Sequence, residues 1–307
     1  MTSSADWIAG ARPRTLPAAV APVLAGSAVA AYVDSFWWWK ALLALVVSLA
    51  LQVGVNYTND YSDGIRGTDA DRVGPMLLVG SGATTPTAVK TAAFAAFGVA
   101  AVAGLVLAAT TAWWLVAVGA VCVLAAWFYT GGSRPYGYLG LGEVMVFVFF
   151  GLVAVMGTTF VQVHDRTWFT YGEGPPPGSG WVWPALYAGI GIGALACAIL
   201  VANNLRDIPT DRESGKVTLA VRLGTERTRG LYALLVLAAA AEVVALASAT
   251  TWWALAGLGF AVVALPPTRT VLGGAAGPAL IPVLQQTGVA QLVWAVLVAV
   301  PLFVVAR

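Results

Sequence analysis

Two polar strings interrupt an otherwise apolar chain, and both set carboxylates beside side-chain amides. The first is Gln52-Val-Gly-Val-Asn56-Tyr57-Thr58-Asn59-Asp60-Tyr61-Ser62-Asp63. The second is Asn203-Asn204-Leu205-Arg206-Asp207-Ile208-Pro209-Thr210-Asp211-Arg212. A helix turns about 100° per residue, so Gln52, Asn56, Asn59, Asp60 and Asp63 share one face. Asn203 and Asp207 lie one turn apart, and Asp211 follows a turn later if the helix lasts. Pro209 disfavours helix at Ile208, so a kink or an end is expected there. An ionisable group inside a membrane span costs roughly 2.5–3.5 kcal/mol, so a polar face on an apolar helix marks a functional cavity.

The chemistry follows from the donor types. Two carboxylates roughly 6 Å apart repel by about 3 kcal/mol at an effective dielectric near 20. If Asp60, Asp63, Asp207 and Asp211 converge, they must hold cations or take up protons. Carboxylate and amide oxygens suit Mg²⁺ or Ca²⁺, and Mg²⁺ binds typically through one or two carboxylates plus substrate phosphates. Arg206 within the second string, and Lys216 and Arg222 after it, supply an anion clamp. A ligand with a phosphate head and a hydrocarbon tail fits this arrangement. Loss of diphosphate from an allylic tail leaves a carbocation, which aromatic faces stabilise. Tyr57, Tyr61, Trp127, Tyr129, Tyr136 and Tyr138 are the aromatic candidates. A cation-coupled transporter is the competing class, but its sites lie near the bilayer midplane. Both strings here end helices and adjoin Arg and Lys, which favours phosphate. A silent lipid-binding protein is a third class.

The elements that position these strings are membrane spans. The 307 residues are 59% hydrophobic and 10% charged, against about 25% charged in soluble domains. Apolar runs of about 20 residues cross a bilayer. Nine are expected, near 16–33, 39–58, 87–109, 112–129, 141–162, 183–204, 229–249, 251–266 and 284–305. The expected fold is therefore all-α, a polytopic nine-helix membrane bundle forming one domain over 1–307. Cap loops are expected around 59–86, 130–140 and 205–228. Of the 16 Lys and Arg residues, all but Lys40, Arg166 and Arg307 fall on one side of this plan. That side is cytoplasmic by the positive-inside rule, giving an N-terminus inside and a C-terminus outside. Tryptophans such as Trp38, Trp113, Trp183 and Trp252 gather at the other side as an interfacial belt.

Other motifs are excluded or carry no role. Cys122 and Cys197 sit in apolar runs and form neither a disulfide framework nor a zinc site. The only histidine, His164, falls on the side away from both strings. Glu143 and Glu242 lie within spans; Glu143 is near enough to the inner end to reach it. A basic stripe for nucleic acid is absent.

At this level of detail the chain resembles the UbiA superfamily of membrane prenyltransferases. Asn59-Asp60-x-x-Asp63 and Asp207-x-x-x-Asp211 carry the likeness. So do Asn56 to Asp69, Arg72-Val-Gly-Pro75, Gly215 to Gly224 and Arg12-Pro-Arg-Thr-Leu-Pro17. The longer strings are most similar to the 1,4-dihydroxy-2-naphthoate polyprenyltransferases. The resemblance implies transfer of a polyprenyl group from polyprenyl diphosphate to 1,4-dihydroxy-2-naphthoate, with decarboxylation to demethylmenaquinone. It implies Mg²⁺–diphosphate on Asp60, Asp63, Asp207 and Asp211. Substrate would be supported by Asn56, Asn59, Asn203, Arg206, Lys216, Arg222 and Tyr61. The implied setting is the cell membrane with a cytoplasm-facing site. Sister enzymes acting on 4-hydroxybenzoate or homogentisate are the near alternative. The chain departs from the pattern at Gly67, where a third aspartate is common, and at Leu77, where an arginine is expected.

Overall fold

The computed structural model describes residues 2–66, 77–133, 135–164 and 179–306. Gly67, Asp69, Arg72, Pro75, Arg134, Arg166 and the proline run at 175–177 lie outside the described residues. The described residues fold into helices, with no strand among them. We number them α1 (Ser4–Gly10), α2 (Pro17–Tyr32), α3 (Trp38–Arg66), α4 (Pro86–Ala109) and α5 (Leu115–Phe128). There follow α6 (Gly142–Val163), α7 (Val182–Glu213), α8 (Leu219–Leu223), α9 (Thr225–Ala249), α10 (Trp252–Leu272) and α11 (Gly277–Val305).

Seven of these helices are long and apolar enough to cross a membrane, making this a multi-pass membrane protein. Seven of the nine expected runs coincide with these helices, and the other two differ. The first run is α2, which meets the segment Ser4–Thr15 at a 50° bend. The fourth is α5, whose regular helix has only 14 residues because Thr111 to Trp114 form a turn.

Helix packing explains how the bundle is built without a polar driving force. In lipid, small residues let backbones approach closely. A Cβ on Gly151 of α6 would sit 2.6 Å from the Gly189 carbonyl and 2.7 Å from the Gly193 Cα of α7. That contact involves main chain on both sides, so no side-chain movement relieves it. Gly151→Val is therefore expected to prevent α6 from docking on α7. Loss of monodisperse protein after detergent extraction would check this, and an unshifted melting temperature would refute it. The core proper lies where α2, α7, α9 and α11 meet. Trp294 is fully buried there over Gly191, and its indole N–H donates to the Ala239 carbonyl at 2.9 Å. On the other side of the bundle α3 and α4 pack closely along their length, whereas α5 touches them sparsely and none of its residues is buried.

Two local features depart from sequence expectation. Helix α7 continues through Pro209 to Glu213 instead of ending at Ile208. Proline removes one backbone bond, and within a packed bundle neighbours restore that loss. Asp211 consequently stays helical, one turn beyond Asp207. Within α6, Phe147–Val153 winds as π-helix. Such bulges are rare and concentrate at functional sites. This one sets Phe149, Phe150 and Val153 on a cavity and Gly151 against α7.

Candidate active site

The first polar string forms as expected on the last turns of α3, which stays helical through Arg66. Its members divide into two roles. Gln52 and Asn56 fasten the N-terminal segment: Asn56 donates to the Ala11 carbonyl at 2.8 Å and to Thr15 Oγ1 at 2.9 Å. Gln52 donates to the same hydroxyl at 3.0 Å. Asn59 accepts from Thr130 at 2.8 Å, which ties α3 to the end of α5. Tyr61 stacks near Trp127, with centroids 6.1 Å apart, and the Lys90 ammonium lies 5.7 Å from the Tyr61 ring.

The carboxylates are each neutralised differently. Asp60 is fully buried and accepts from the backbone N–H groups of Leu78 and Val79, at 2.7 and 3.0 Å. It docks the segment that follows the long loop, and Leu78 is itself fully buried. Asp63 accepts from the Tyr138 hydroxyl and pairs with the Lys216 ammonium at 3.6 Å. Asp207 is gripped by Arg206 through two nitrogens, at 2.6 and 2.7 Å, while Asn203 reaches it at 3.4 Å. Asp211 accepts from Thr218 at 3.3 Å, and its backbone carbonyl accepts from the Lys216 amide at 2.8 Å. Arg222 donates to the Leu139 carbonyl at 2.9 Å.

These contacts join the two strings through one hub that the sequence did not single out. Tyr138 bonds Asp63, its ring lies 4.5 Å from the Lys216 ammonium and 5.5 Å from the Arg66 guanidinium, and its carbonyl accepts from Val217. The backbone reaches this point by a left-handed turn at Gly140, whose missing Cβ leaves room for the Val217 carbonyl 3.2 Å away. Burial, and then the Asp63 charge, push the Tyr138 phenol well above its ordinary range. It therefore stays a neutral donor at physiological pH. Burial likewise pushes neighbouring Tyr136 up to about 12. The four aspartates do not close into a single ligand set: among the described residues no three acidic, histidine or cysteine side chains gather to hold a metal. The two strings are nevertheless joined through one short segment: Lys216 pairs with Asp63 of the first while its amide donates to the Asp211 carbonyl of the second.

Directly beneath lies an apolar cavity of about 340 Å³. Asn56, Asn59, Tyr129 and Tyr136 line its polar end, Cys122, Gly119 and Phe150 its middle, and Ala44, Leu107 and Val161 its far end. Ala44 and Asn59 are fifteen residues apart on one helix, so the cavity is about 22 Å deep.

The residue matches now decide the family. A model of the UbiA prenyltransferase family matches residues 19–272. The chain belongs to the UbiA prenyltransferase family. It is 54% identical over 299 residues to the 1,4-dihydroxy-2-naphthoate octaprenyltransferase of Mycobacterium tuberculosis, covering 97% of each chain. It is 38% identical over 238 residues to the enzyme of that name from Escherichia coli, covering 75% of this chain and 72% of the relative. The UbiA fold extends to solved structures at low identity. A UbiA homologue from Aeropyrum pernix K1 superposes with a TM-score of 0.70 at 14% identity, over 92% of this chain and 97% of that one. One from Archaeoglobus fulgidus, bound to DMAPP and Mg²⁺, gives 0.66 at 12% identity, over 97% and 99%.

The remaining expectations place as follows. Glu143, in the first turn of α6, lies buried and accepts from Asn204 of the second string at 2.8 Å. His164 stacks on Phe160 at the end of α6 away from the two strings. Lys40, expected as an exposed topology charge, is fully buried. Leu77 is half-buried at the start of the segment that Asp60 docks.

Proposed function

We propose that this UbiA-family chain transfers a polyprenyl group from polyprenyl diphosphate to 1,4-dihydroxy-2-naphthoate, with loss of CO₂, giving demethylmenaquinone. The observation that carries the reading is the cavity: an apolar channel whose polar end is lined by Asn56 and Asn59, one helical turn before Asp60 and Asp63 on the same helix. The 54% identity to a relative named for naphthoate octaprenyl transfer supports the choice of acceptor. We read the chain as one nine-span domain over 1–307, with the N-terminus and the site on the cytoplasmic face of the cell membrane.

The donor set of carboxylate and amide oxygens fits Mg²⁺, a metal that takes much of its shell from substrate phosphates. Asp63 and Asp211, with Asp60 and Asp207 behind them, would hold it. The bound metal would supply Lewis-acid neutralisation of the departing diphosphate. The chain's own residues do the rest. Lys216 and Arg206, now paired with Asp63 and Asp207, swing to phosphate oxygens, a pairing that charge-assisted bonds favour. Arg222 guards the same rim. Asn56, Asn59 and Asn203 orient the polar head, and the apolar channel takes the tail and excludes water from the allylic carbon. The Tyr61, Tyr129 and Tyr138 rings face the charge that develops there. The C–O bond breaks with its electron pair going to diphosphate. The ring carbon bearing the carboxylate forms the new C–C bond. The C–CO₂ bond then breaks, its pair restoring the aromatic ring.

Mass spectrometry of the lipid product tests this. Purified protein with dihydroxynaphthoate, octaprenyl diphosphate and Mg²⁺ is expected to give a prenylated naphthoquinol lacking its carboxyl group, and none with EDTA. A product only from 4-hydroxybenzoate or homogentisate would reassign the acceptor. No product from any of them would sink the reading.

A further inference from the structure

The far end of the cavity is closed by an arrangement with no parallel elsewhere in the described residues. Its floor is the apolar cluster of Val23, Ala44, Leu107 and Val161. Immediately behind it lies Lys40, one turn before Ala44 on α3 and fully buried. The Lys40 ammonium donates to the Val161 carbonyl of α6 at 2.7 Å, to the Thr110 carbonyl at 3.2 Å and to Thr111 Oγ1 at 3.2 Å. Thr111 also donates to the Val161 carbonyl, at 3.3 Å. One side chain thereby fastens α3, the α4–α5 turn and α6 at the level where the cavity stops. Of the floor residues, Ala44 lies on α3 and Val161 on α6, and Leu107 lies on α4 three residues before Thr110.

A buried ammonium is a poor filler but a strong tie. Apolar side chains alone would pack these helices with no fixed spacing, since lipid-exposed helices gain little from hydrophobic contact with each other. Charge-assisted bonds to carbonyls fix both spacing and register. The Val161 carbonyl lies within α6, near the helix end where carbonyls lack partners, so the ammonium serves that end as well.

We propose that Lys40 is a positioning residue that fixes the depth of the tail channel and so sets which donor lengths the enzyme favours. This rests on the reading of the cavity as the prenyl channel. A tail short enough to end on the floor gains contacts from it. A longer tail must turn aside into the bilayer past α5, which buries no residue, and draws less of its binding from the floor. Loosening the floor therefore penalises the short donor more than the long one.

The test is competition between geranylgeranyl and octaprenyl diphosphates for the wild type, Lys40→Met and Lys40→Arg, with products resolved by mass. Lys40→Met is expected to lower the short-to-long ratio of kcat/KM by about tenfold, the discrimination that a few lost methylene contacts carry. Lys40→Arg, which keeps the charge and the donors, should restore most of it. Thr111→Val serves as the second variant should Lys40→Met not fold, and the expected shift has the same sign and is about threefold. An unchanged ratio in a folded variant, or equal loss for both donors, overturns the proposal by showing a structural role only. A wild type that transfers neither donor overturns the channel reading, and this inference with it.

Discussion

Asp63→Asn is expected to lower kcat by about a hundredfold to a thousandfold, the cost of removing one preorganised electrostatic partner from a charge-separating step. The argument starts from position. Asp63 is the carboxylate that meets both halves of the site, through Tyr138 and Lys216. Its neutral amide can still accept from the Tyr138 hydroxyl, so the fold should survive. Loss of the negative charge frees Lys216 and, if Mg²⁺–diphosphate binds as proposed, removes a hard oxygen ligand at once. Asp60→Asn should behave differently. Its carboxylate takes two backbone N–H groups, and an amide offers one acceptor and turns a donor against the other. That mismatch is expected to destabilise the protein by about 1–3 kcal/mol, in addition to any kinetic loss. Steady-state kinetics beside thermal unfolding separates the two. Activity of Asp63→Asn within threefold of wild type would remove Asp63 from the site.

Gly119→Trp is expected to reduce kcat/KM for octaprenyl diphosphate by about a hundredfold while leaving the melting temperature near that of wild type. Gly119 lines the cavity, and a Cβ there meets nothing within 4 Å. An indole consequently enters empty space instead of displacing protein atoms, which avoids the usual cost of overpacking. It also occupies much of a volume of about 340 Å³. An apolar ligand excluded from such a channel loses about 25 cal/mol for each Å² left in contact with water or lipid headgroups. Unchanged turnover of the long donor would show that the tail lies elsewhere.

The polar strings were legible in sequence because periodicity survives folding. Gln52 through Asp63 share a face on paper and on α3. The partition of that face was not legible, because it depends on what arrives from elsewhere in the chain. Asn56 serves the N-terminal segment through Ala11 and Thr15, and Asp60 serves Leu78 and Val79. Both are long-range contacts without local signature. Pro209 misled for a related reason: its local rule concerns an isolated helix, and α7 is among the most buried helices in the bundle. The π-helical turn in α6 leaves no mark in composition. Lys40 misled because charge counting treats every lysine near a span end as solvated, whereas this one has carbonyls to bond inside. Tyr138 stood among six aromatic candidates, and only its contact with Asp63 singles it out.

The thinness of α5 has a kinetic meaning. A helix with no buried residue separates the channel from the acyl chains by one layer of side chains, and on the proposed reading the surplus of a long tail never leaves the bilayer. The donor is then a solute of the membrane and not of the water around it. Its effective concentration is moles per mole of lipid, and adding empty bilayer dilutes it as surely as adding buffer dilutes a soluble substrate.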